Sequence, residues 1–438
     1  MFRKIVGRAL LLTLLGGCAL YSDVAIKPLQ VLPTNIDRGA DMQQMLRKSD
    51  YLRAMEAAAN FDTRTRHNPD EMTALGNAFL AAGRYDEART RLRAALDMKP
   101  YRTAYAEIAW NLSQVEYLAN NYEASYEWAQ IATDNGLSIR QWHLDYLAAM
   151  SKVPAYKFSG AAMDRVPMRF GRPDVPRVEV KVNGTRDVPA IIDSGAVLSI
   201  VSRRFADEVH VKTLGTFKGT FYGLLGEPIA VDFGLLQSID IGDIHIENVP
   251  VAIMPDEKMR FLISEKEKRE FRMDCLLGAN LLKEFRLALD FGRSSATFTK
   301  LSPHDRIADP KQNIFFAGFR PYVRGTINGK GWFMFVLDTG SEITFLNEKR
   351  VDSLPIHFMA VPRAHNAMLQ GLGGSKKRGA KLEQIEVGVD RWSGQFRTLP
   401  MYSSEDKESA VGIIGQNLLK HFTVIIDFGR MRLDLERR

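Results

Sequence analysis

The spacing of hydrophobic and polar residues divides this 438-residue chain into two parts. Between Asp41 and Met150, glycine and proline are sparse while Ala, Leu, Arg and Glu are common, which predicts helices. After Pro154, short runs of Val, Ile, Leu and Phe alternate with Gly, Asn, Asp and Pro, a pattern typical of strands and turns. We therefore predict a multidomain protein, with an all-α domain over 40–155 followed by an all-β region.

Large and small residues recur within the helical part at the spacing of a two-helix repeat, and the positions are Leu75, Gly76, Phe79, Tyr85, Ala88, Leu92, Ala95 and Pro100. A weaker copy follows, in which Tyr122 and Ala132 lie 37 residues after Tyr85 and Ala95. The segment resembles tetratricopeptide proteins. The resemblance implies a helical-repeat domain whose concave face binds a peptide or a protein partner. The alternative is a structural spacer or a brace for the next domain.

The β-region contains an internal duplication. A strand over 178–182 leads into an Asn-Gly hairpin turn at 183–184, and Asp193 follows ten residues after the asparagine. A second Asn-Gly turn at 328–329 is followed by Asp338 at the same distance. The two aspartates begin Asp-Ser-Gly and Asp-Thr-Gly, so each copy places the same kind of loop after the same kind of strand.

A second element of the duplication lies downstream. Leu-Leu-Gly at 276–278 corresponds to Ile-Ile-Gly at 413–415, and an Asp-Phe-Gly-Arg turn begins twelve residues after each glycine, at Asp290 and Asp427. We interpret these two aspartates as turn residues. The single cysteine of the β-region, Cys275, is predicted to be a small core residue.

Together these motifs resemble the aspartic peptidases, and most closely the retropepsin-like bacterial members, fused in tandem as in the bilobed pepsins. The resemblance implies an all-β bilobed domain made of two retropepsin-like halves, with lobe 1 over 176–300, a linker over 301–318 and lobe 2 over 319–436. It also implies that the hydrophobic-hydrophobic-Gly segments form strands beneath the catalytic loops. The catalytic residues of the family correspond here to Asp193 and Asp338 only.

The chemistry implied by the resemblance needs two carboxyl groups that share one proton, because like charges about 3 Å apart cannot both ionise. One carboxylate then activates water and the other supplies a proton. The predicted supports of the catalytic loops are Ser194, Gly195, Thr339, Gly340 and Ser341. Ala196 lacks the hydroxyl that Ser341 has at the equivalent position. We therefore expect Ser341 to donate to Asp338 and make it the more acidic residue, while Asp193 holds the proton.

Aspartic peptidases close a flap over the substrate, and glycine-rich segments about 30 residues after each aspartate are the candidates for its tip. They lie at 222–226 and 370–374, and the residues predicted to contact substrate are Tyr222, Gly223, Gly226, Gly371 and Gly373. The alternative is that both segments are ordinary hairpin turns.

The first residues resemble a bacterial export signal. Basic residues precede a short apolar run, 9–15, which is too short to span a bilayer. Leu-Gly-Gly-Cys at 15–18 resembles a lipobox, which implies a signal peptide over 1–17, a lipidated Cys18 and a linker over 18–39. Ala19 favours the outer membrane of a periplasm-facing lipoprotein. The alternative is an ordinary signal peptide with an incidental cysteine.

The remaining composition narrows the functional classes. The formal net charge of +7 is spread over the chain without a long Lys/Arg block, so no nucleic-acid partner is predicted. Two cysteines and eight scattered histidines form no ligand motif, so we predict no metal and no cofactor. The favoured interpretation is a cell-envelope aspartic endopeptidase that acts on peptides or proteins. The alternatives are a catalytically silent peptide-binding lipoprotein, with its helical repeats as a scaffold, and a structural envelope lipoprotein.

Overall fold

The fold is described from a computed structural model. The described residues are 10–12, 24–30, 45–46, 53–55, 57, 68–223, 227–264, 269–352, 363–370, 376–402 and 410–437. Four predicted site residues, Cys18, Gly226, Gly371 and Gly373, lie outside them. Within the described ranges, no helix has the length and apolar character needed to cross a bilayer.

Among the elements whose two ends the structure describes, two short strands come first and five helices follow. They are β1 (Leu10–Leu12), β2 (Ala25–Pro28), α1 (Pro69–Ala81), α2 (Tyr85–Asp97), α3 (Arg102–Leu118), α4 (Tyr122–Asp134) and α5 (Gln141–Met150). A capping box begins α1, where the Asn68 side chain accepts from the N–H of Glu71 and the Glu71 carboxylate accepts from the N–H of Asn68. A Cβ on Gly76 would lie 2.6 Å from Cγ of Leu92, so this glycine lets α1 and α2 pack closely. Residues 69–150 therefore form successive helix hairpins.

The first β-lobe extends further toward the N-terminus than predicted. Its elements are β3 (Lys157–Gly160), β4 (Met163–Arg169), β5 (Arg177–Val182), β6 (Arg186–Ile192), β7 (Ser199–Ser202), α6 (Arg203–Glu208), β8 (Lys212–Thr213), β9 (Gly219–Gly223), β10 (Pro228–Ile241), β11 (Ile244–Met254), β12 (Arg260–Ser264), β13 (Arg269–Arg272), β14 (Cys275–Leu277), α7 (Ala279–Leu282), β15 (Phe285–Asp290) and β16 (Ser295–Lys300). Strand β3 pairs with β11, and β4 pairs with β16 and β5. The predicted start at 176 is therefore corrected, because earlier residues supply two strands of this lobe.

The second lobe begins within the predicted linker. Its elements are β17 (Ile314–Ala317), β18 (Arg320–Ile327), β19 (Lys330–Leu337), β20 (Phe345–Asn347), α8 (Glu348–Asp352), β21 (Arg363–Gln370), β22 (Lys376–Val389), β23 (Trp392–Tyr402), β24 (Gly412–Ile414), α9 (Gln416–Leu419), β25 (Phe422–Asp427) and β26 (Arg432–Arg437). Strand β17 pairs with β18, and this corrects the predicted linker over 301–318. Strand β2 pairs with β23, which attaches the N-terminal segment to lobe 2.

The two lobes share a sheet. Strand β25 of the second lobe pairs antiparallel with β15 of the first, and the order continues as β4-β16-β15-β25-β26. The outer edge of β9 in the same sheet pairs in parallel with β1. Because β25 crosses from one lobe to the other, the lobes are fixed to each other by backbone hydrogen bonds as well as by side-chain packing.

The helical segment packs against both lobes. Tyr146 and Leu147 of α5 belong to the same buried hydrophobic cluster as core residues of lobe 1. At the polar edge of the contact, the Asn120 amide donates to Glu284 over 2.9 Å and accepts from Lys283 over 2.8 Å. Burial of this kind is expected when few helical hairpins cannot bury their own hydrophobic faces. The contacts agree with the interpretation of the helices as a brace.

Candidate active site

Each candidate catalytic loop begins where a buried strand ends. Asp193 follows β6, and its N–H donates to the Leu277 carbonyl over 3.0 Å. Asp338 follows β19, and its N–H donates to the Ile414 carbonyl over 3.1 Å. Strands β14 and β24, the two hydrophobic-hydrophobic-Gly segments, run parallel to β6 and β19. The duplicated sequence therefore forms a duplicated support, in which one strand lies directly beside each loop.

The glycine that ends each supporting strand is required by a close backbone approach. A Cβ on Gly278 would lie 2.5 Å from the carbonyl carbon of Leu198. A Cβ on Gly415 would lie 2.4 Å from the carbonyl oxygen of Ile343. Since Cβ atoms do not approach backbone atoms so closely, any other residue would displace the chain that follows the catalytic loop.

Two asparagines have a role that sequence reasoning missed. The Asn280 side chain accepts from the N–H of Ser199 over 2.7 Å, and the Asn417 side chain accepts from the N–H of Thr344 over 2.7 Å. The hydroxyl groups of Ser199 and Thr344 in turn accept from the N–H groups of the two support glycines. The signal was present in the sequence, because both asparagines stand two residues after the repeated glycine.

The two loops are joined by reciprocal hydrogen bonds. The N–H of Ser194 donates to Thr339 Oγ1 over 3.0 Å, and the N–H of Thr339 donates to Ser194 Oγ over 3.1 Å. Each hydroxyl then donates across the lobe interface, Ser194 to the Leu337 carbonyl and Thr339 to the Ile192 carbonyl, both over 2.7 Å. All of these groups are buried. The pair of hydroxyls therefore fixes the position of one lobe's aspartate relative to the other's.

The carboxyl groups of Asp193 and Asp338 are fully buried at this junction. A Cβ on Gly340 would lie 2.3 Å from Cγ of Asp193, so the first carboxyl rests against the second loop. Asp193 Oδ1 accepts from two backbone N–H groups, those of Gly195 and Ala196, over 2.9 and 3.0 Å. Asp338 Oδ1 accepts from one, that of Gly340, over 2.9 Å. The two sites are similar in geometry but unequal in hydrogen bonding.

This inequality decides which carboxyl keeps the shared proton. Burial raises the pKa of Asp193, and the hydrogen bond from Asp338 and those from the backbone act in the opposite direction. Burial and the adjacent Asp193 charge both raise the pKa of Asp338, well above its ordinary value. Among the described residues, neither Oδ2 has a hydrogen-bond partner other than the facing carboxyl, so one shared proton between the two carboxyls satisfies both. The arrangement favours an ionised Asp193 and a protonated Asp338.

The predicted role of Ser341 is wrong. Its hydroxyl donates to the Ile343 carbonyl over 2.9 Å and not to the Asp338 carboxyl. The residue instead fixes the backbone that follows the loop. The prediction that Asp193 holds the proton is therefore reversed. Ala196 has no side-chain hydroxyl, but its backbone N–H donates to Asp193 and stabilises the charged form of that carboxyl.

A buried cation near the pair was not predicted. Arg320, at the start of β18, is only 3% exposed, and its positive charge lowers the pKa of both aspartates. It therefore favours the pair with one negative charge over the neutral pair. The effect of Arg320 on these pKa values depends on where the β17–β18 hairpin lies relative to the two aspartates. No local motif in the sequence indicates that position.

Both predicted flap segments belong to β-hairpins. In lobe 1, β9 and β10 pair up to Tyr222 and Pro228, and the N–H of Gly223 donates to the Glu227 carbonyl over 2.9 Å. In lobe 2, β21 and β22 pair up to Gln370 and Lys376. The tips themselves lie outside the described residues. Half-buried Tyr222 packs against a hydrophobic cluster of lobe 2, so this hairpin reaches across the junction of the lobes.

The other residues singled out in the sequence lie apart from the loops. Asp290 and Asp427 each accept from the backbone N–H groups two and three residues later, which confirms that they are turn residues. Cys275 is buried, and burial raises the pKa of its thiol to about 12, so it is an inert core residue. Among the side chains that the structure describes, no group of three or more His, Cys, Asp or Glu is placed to hold a metal ion.

The first prediction concerns the reciprocal hydrogen bonds. Thr339→Val removes the hydroxyl that serves both the Ser194 N–H and the Ile192 carbonyl, and each group left unpaired in a buried site costs about 1–3 kcal/mol. Thr339→Ser keeps the hydroxyl and is the matched control. We expect urea unfolding to show a much lower stability for the valine variant than for the serine variant. Equal stabilities would mean that these bonds do not hold the lobes together.

The second prediction concerns the shared proton. Because the native pair keeps a proton that the unfolded chain loses above about pH 4, the free energy of unfolding should fall by about 1.4 kcal/mol per pH unit until the pair ionises fully. This contribution is complete at low pH and is lost as the pH rises through the raised pKa of Asp338. We would compare urea unfolding of the wild type with the Asp193→Asn/Asp338→Asn double variant from pH 4 to 8. A constant difference between them would exclude a retained proton.

Comparison with known proteins agrees with the duplicated geometry. Residues 178–281 match the family described as Aspartyl protease, and residues 318–427 match the Retroviral aspartyl protease family. Among solved structures, a retropepsin-like aspartic protease from Rickettsia conorii is similar at 16% identity, over 32% of this chain and 94% of that chain, with a TM-score of 0.21. No curated protein matches. The two family matches lie in tandem within the β-region, which supports a peptidase function, and each matched segment contains one of the two buried aspartates.

Proposed function

We propose that the protein is an aspartic endopeptidase whose catalytic pair is Asp193 and Asp338. The observation that carries this proposal is the pair of buried carboxyl groups, one from each lobe, held together by the reciprocal Ser194 and Thr339 hydrogen bonds. An isolated buried carboxyl would be costly without a role, and two in contact are costlier still. Groups with such raised pKa values occur mainly at functional sites.

The hydrogen bonding assigns a role to each carboxyl in peptide hydrolysis. Asp193, the better stabilised anion, accepts a proton from the attacking water. Asp338 holds the shared proton and supplies it to the reacting peptide group, so that the amine leaves in neutral form. Gly340 lets the two carboxyls meet without a Cβ between them. No covalent intermediate is required, because water is the nucleophile.

The substrate is an extended peptide that lies between the lobes beneath the two hairpins. Strands β9–β10 and β21–β22 form one hairpin in each lobe, and an extended peptide can add to strand edges of this kind. Tyr222 is the candidate for direct contact with the substrate from lobe 1. The enzyme acts within the cell envelope, anchored by a lipidated Cys18, with the helical repeats bracing the peptidase region.

The third prediction tests the catalytic pair. In full-length protein solubilised in detergent, Asp193→Asn and Asp338→Asn should each lower kcat/KM by at least about 100-fold on a mixed peptide library read by mass spectrometry from pH 3 to 8. The turn variant Asp290→Asn keeps its Oδ1 acceptor and should retain activity. If the wild type binds peptides but cuts none across this range, the catalytically silent peptide-binding interpretation replaces the enzyme.

The fourth prediction tests the anchor. After expression in a Gram-negative host, the mature protein should begin at Cys18 and carry acyl chains visible in its intact mass, and it should fractionate with membranes. Cys18→Ser should abolish the added mass and release the protein into the periplasmic fraction. Membrane association that persists in this variant without any acyl mass would overturn the lipoprotein proposal.

A further inference from the structure

A cavity of about 260 Å³ lies where the helical segment meets both lobes. We call it the junction pocket, and we define it by the lining residues Asn77, Trp110, Trp142, Leu198, Phe233 and Phe319. Three helices, α1, α3 and α5, form one wall, and the other wall comes from lobe 1 and from the hairpin that joins β17 to β18. The pocket therefore exists only when the helices and both lobes are assembled.

The helical face that lines the pocket is turned toward the peptidase region. The ring of Phe319, at the tip of the β17–β18 hairpin, meets the ring of Tyr117 on α3 edge-on at a centroid distance of 5.2 Å. The hairpin thus covers part of this face, and the pocket is the part that stays uncovered. A large separate protein has little surface available there, whereas a single side chain fits.

The pocket lies close to the catalytic loop along the chain. Leu198 follows Asp193 by five residues, and Val197, which also lines the pocket, follows it by four. With consecutive Cα atoms 3.8 Å apart, Val197 lies within about 15 Å of Asp193. An extended peptide rises about 3.3 Å per residue, so the pocket is within reach of a side chain about five residues or fewer from the scissile bond.

One wall of the pocket is shared with the β9–β10 hairpin of lobe 1, which contains the first predicted flap segment. Trp142 of α5 stacks on Phe233 of β10, with ring centroids 6.1 Å apart, and Phe233 also packs against Phe221 of β9. The Arg140 guanidinium lies 6.0 Å from the centre of the Tyr222 ring. The helical segment therefore contacts the strands that would close over a bound peptide, and Phe233 belongs both to these strands and to the pocket lining.

The chemistry of the lining selects an uncharged group. No Asp, Glu, Lys or Arg is among the described residues that line the pocket, and most of the lining is aromatic or aliphatic. Burial lowers the pKa of His143, another lining residue, to about 4, so it is neutral near pH 7. Asn77 Oδ1 is buried without a hydrogen-bond partner among the described residues, which leaves one acceptor for a peptide N–H. A cavity of about 150 Å³ already accommodates benzene, so this one can hold a large aromatic side chain.

We propose that the junction pocket is a specificity subsite of the peptidase, which binds a bulky apolar side chain of the substrate at a fixed distance from the cleaved bond. This inference rests on the proposed function and goes beyond it, because it assigns substrate selection to the helical segment. The helices are then a wall of the substrate-binding site as well as a brace.

The test compares cleavage preferences of the full-length protein in detergent. Gln114 lines the pocket from α3, and Gln114→Trp should fill it, while Gln130→Trp makes the same change on the exposed surface of α4. Wild type and the Gln130 variant should prefer a bulky apolar residue at one position near the cut. The Gln114 variant should lose at least about tenfold in kcat/KM for such peptides and little for peptides with alanine there.

Two further measurements keep the outcomes distinct. Leu80→Trp fills the same pocket from α1, and urea unfolding midpoints identify any variant that is merely unstable. If well-folded filling variants keep the wild-type preference, the subsite is overturned while the peptidase function stands. If the wild type cuts no peptide, binding of labelled library peptides is measured by fluorescence anisotropy. Apolar peptides that bind the wild type and the Gln130 variant but not the Gln114 variant would support the pocket and reject the peptidase function. Equal binding by all three proteins would reject both the pocket and the peptidase function.

Discussion

A single proton held between two buried carboxyl groups is the constraint on which the rest of the structure depends. Neither Asp193 nor Asp338 could stay buried as an isolated anion, and two adjacent anions would repel each other strongly. The parallel strands beneath the loops, the close-packed glycines and the reciprocal hydroxyl hydrogen bonds all hold the two carboxyls in contact, so that one proton can satisfy both. The small difference in backbone hydrogen bonding then gives two similar aspartates different roles.

The duplication explains how much of this site the sequence could predict. Asp193 and Asp338 were identified because each stands at the same distance from an Asn-Gly turn, and that spacing reflects a local hairpin that folds the same way in both lobes. Ser341 was misassigned because the direction of a hydroxyl depends on its rotamer and on the nearest carbonyl, which spacing does not encode. Arg320 was missed for a related reason, since its position relative to the pair depends on long-range packing.

The domain boundaries show the same division between local and long-range information. Composition and periodicity were enough to predict helices between residues 69 and 150. The capping box at Asn68 marks the start of α1. The predicted start of lobe 1 at 176 excludes the strands at 157–160 and 163–169, because their partners lie far away in the chain, in β11 and β16. Short strands of this kind gain their stability from the sheet that they join, so their own sequence carries a weak signal.

The sheet shared by the lobes has a consequence for assembly. Strand β25 pairs with β15 of the first lobe and with β26, so residues up to Arg437 take part in holding the second lobe, and Asp338 with it, against the first. A chain in which these strands have not yet paired would therefore hold two half-sites, each with one carboxyl and no shared proton. Under the proposed function, the ability to hydrolyse peptides would then arise only once both lobes are joined, so an incomplete chain could not cleave unfolded proteins near it.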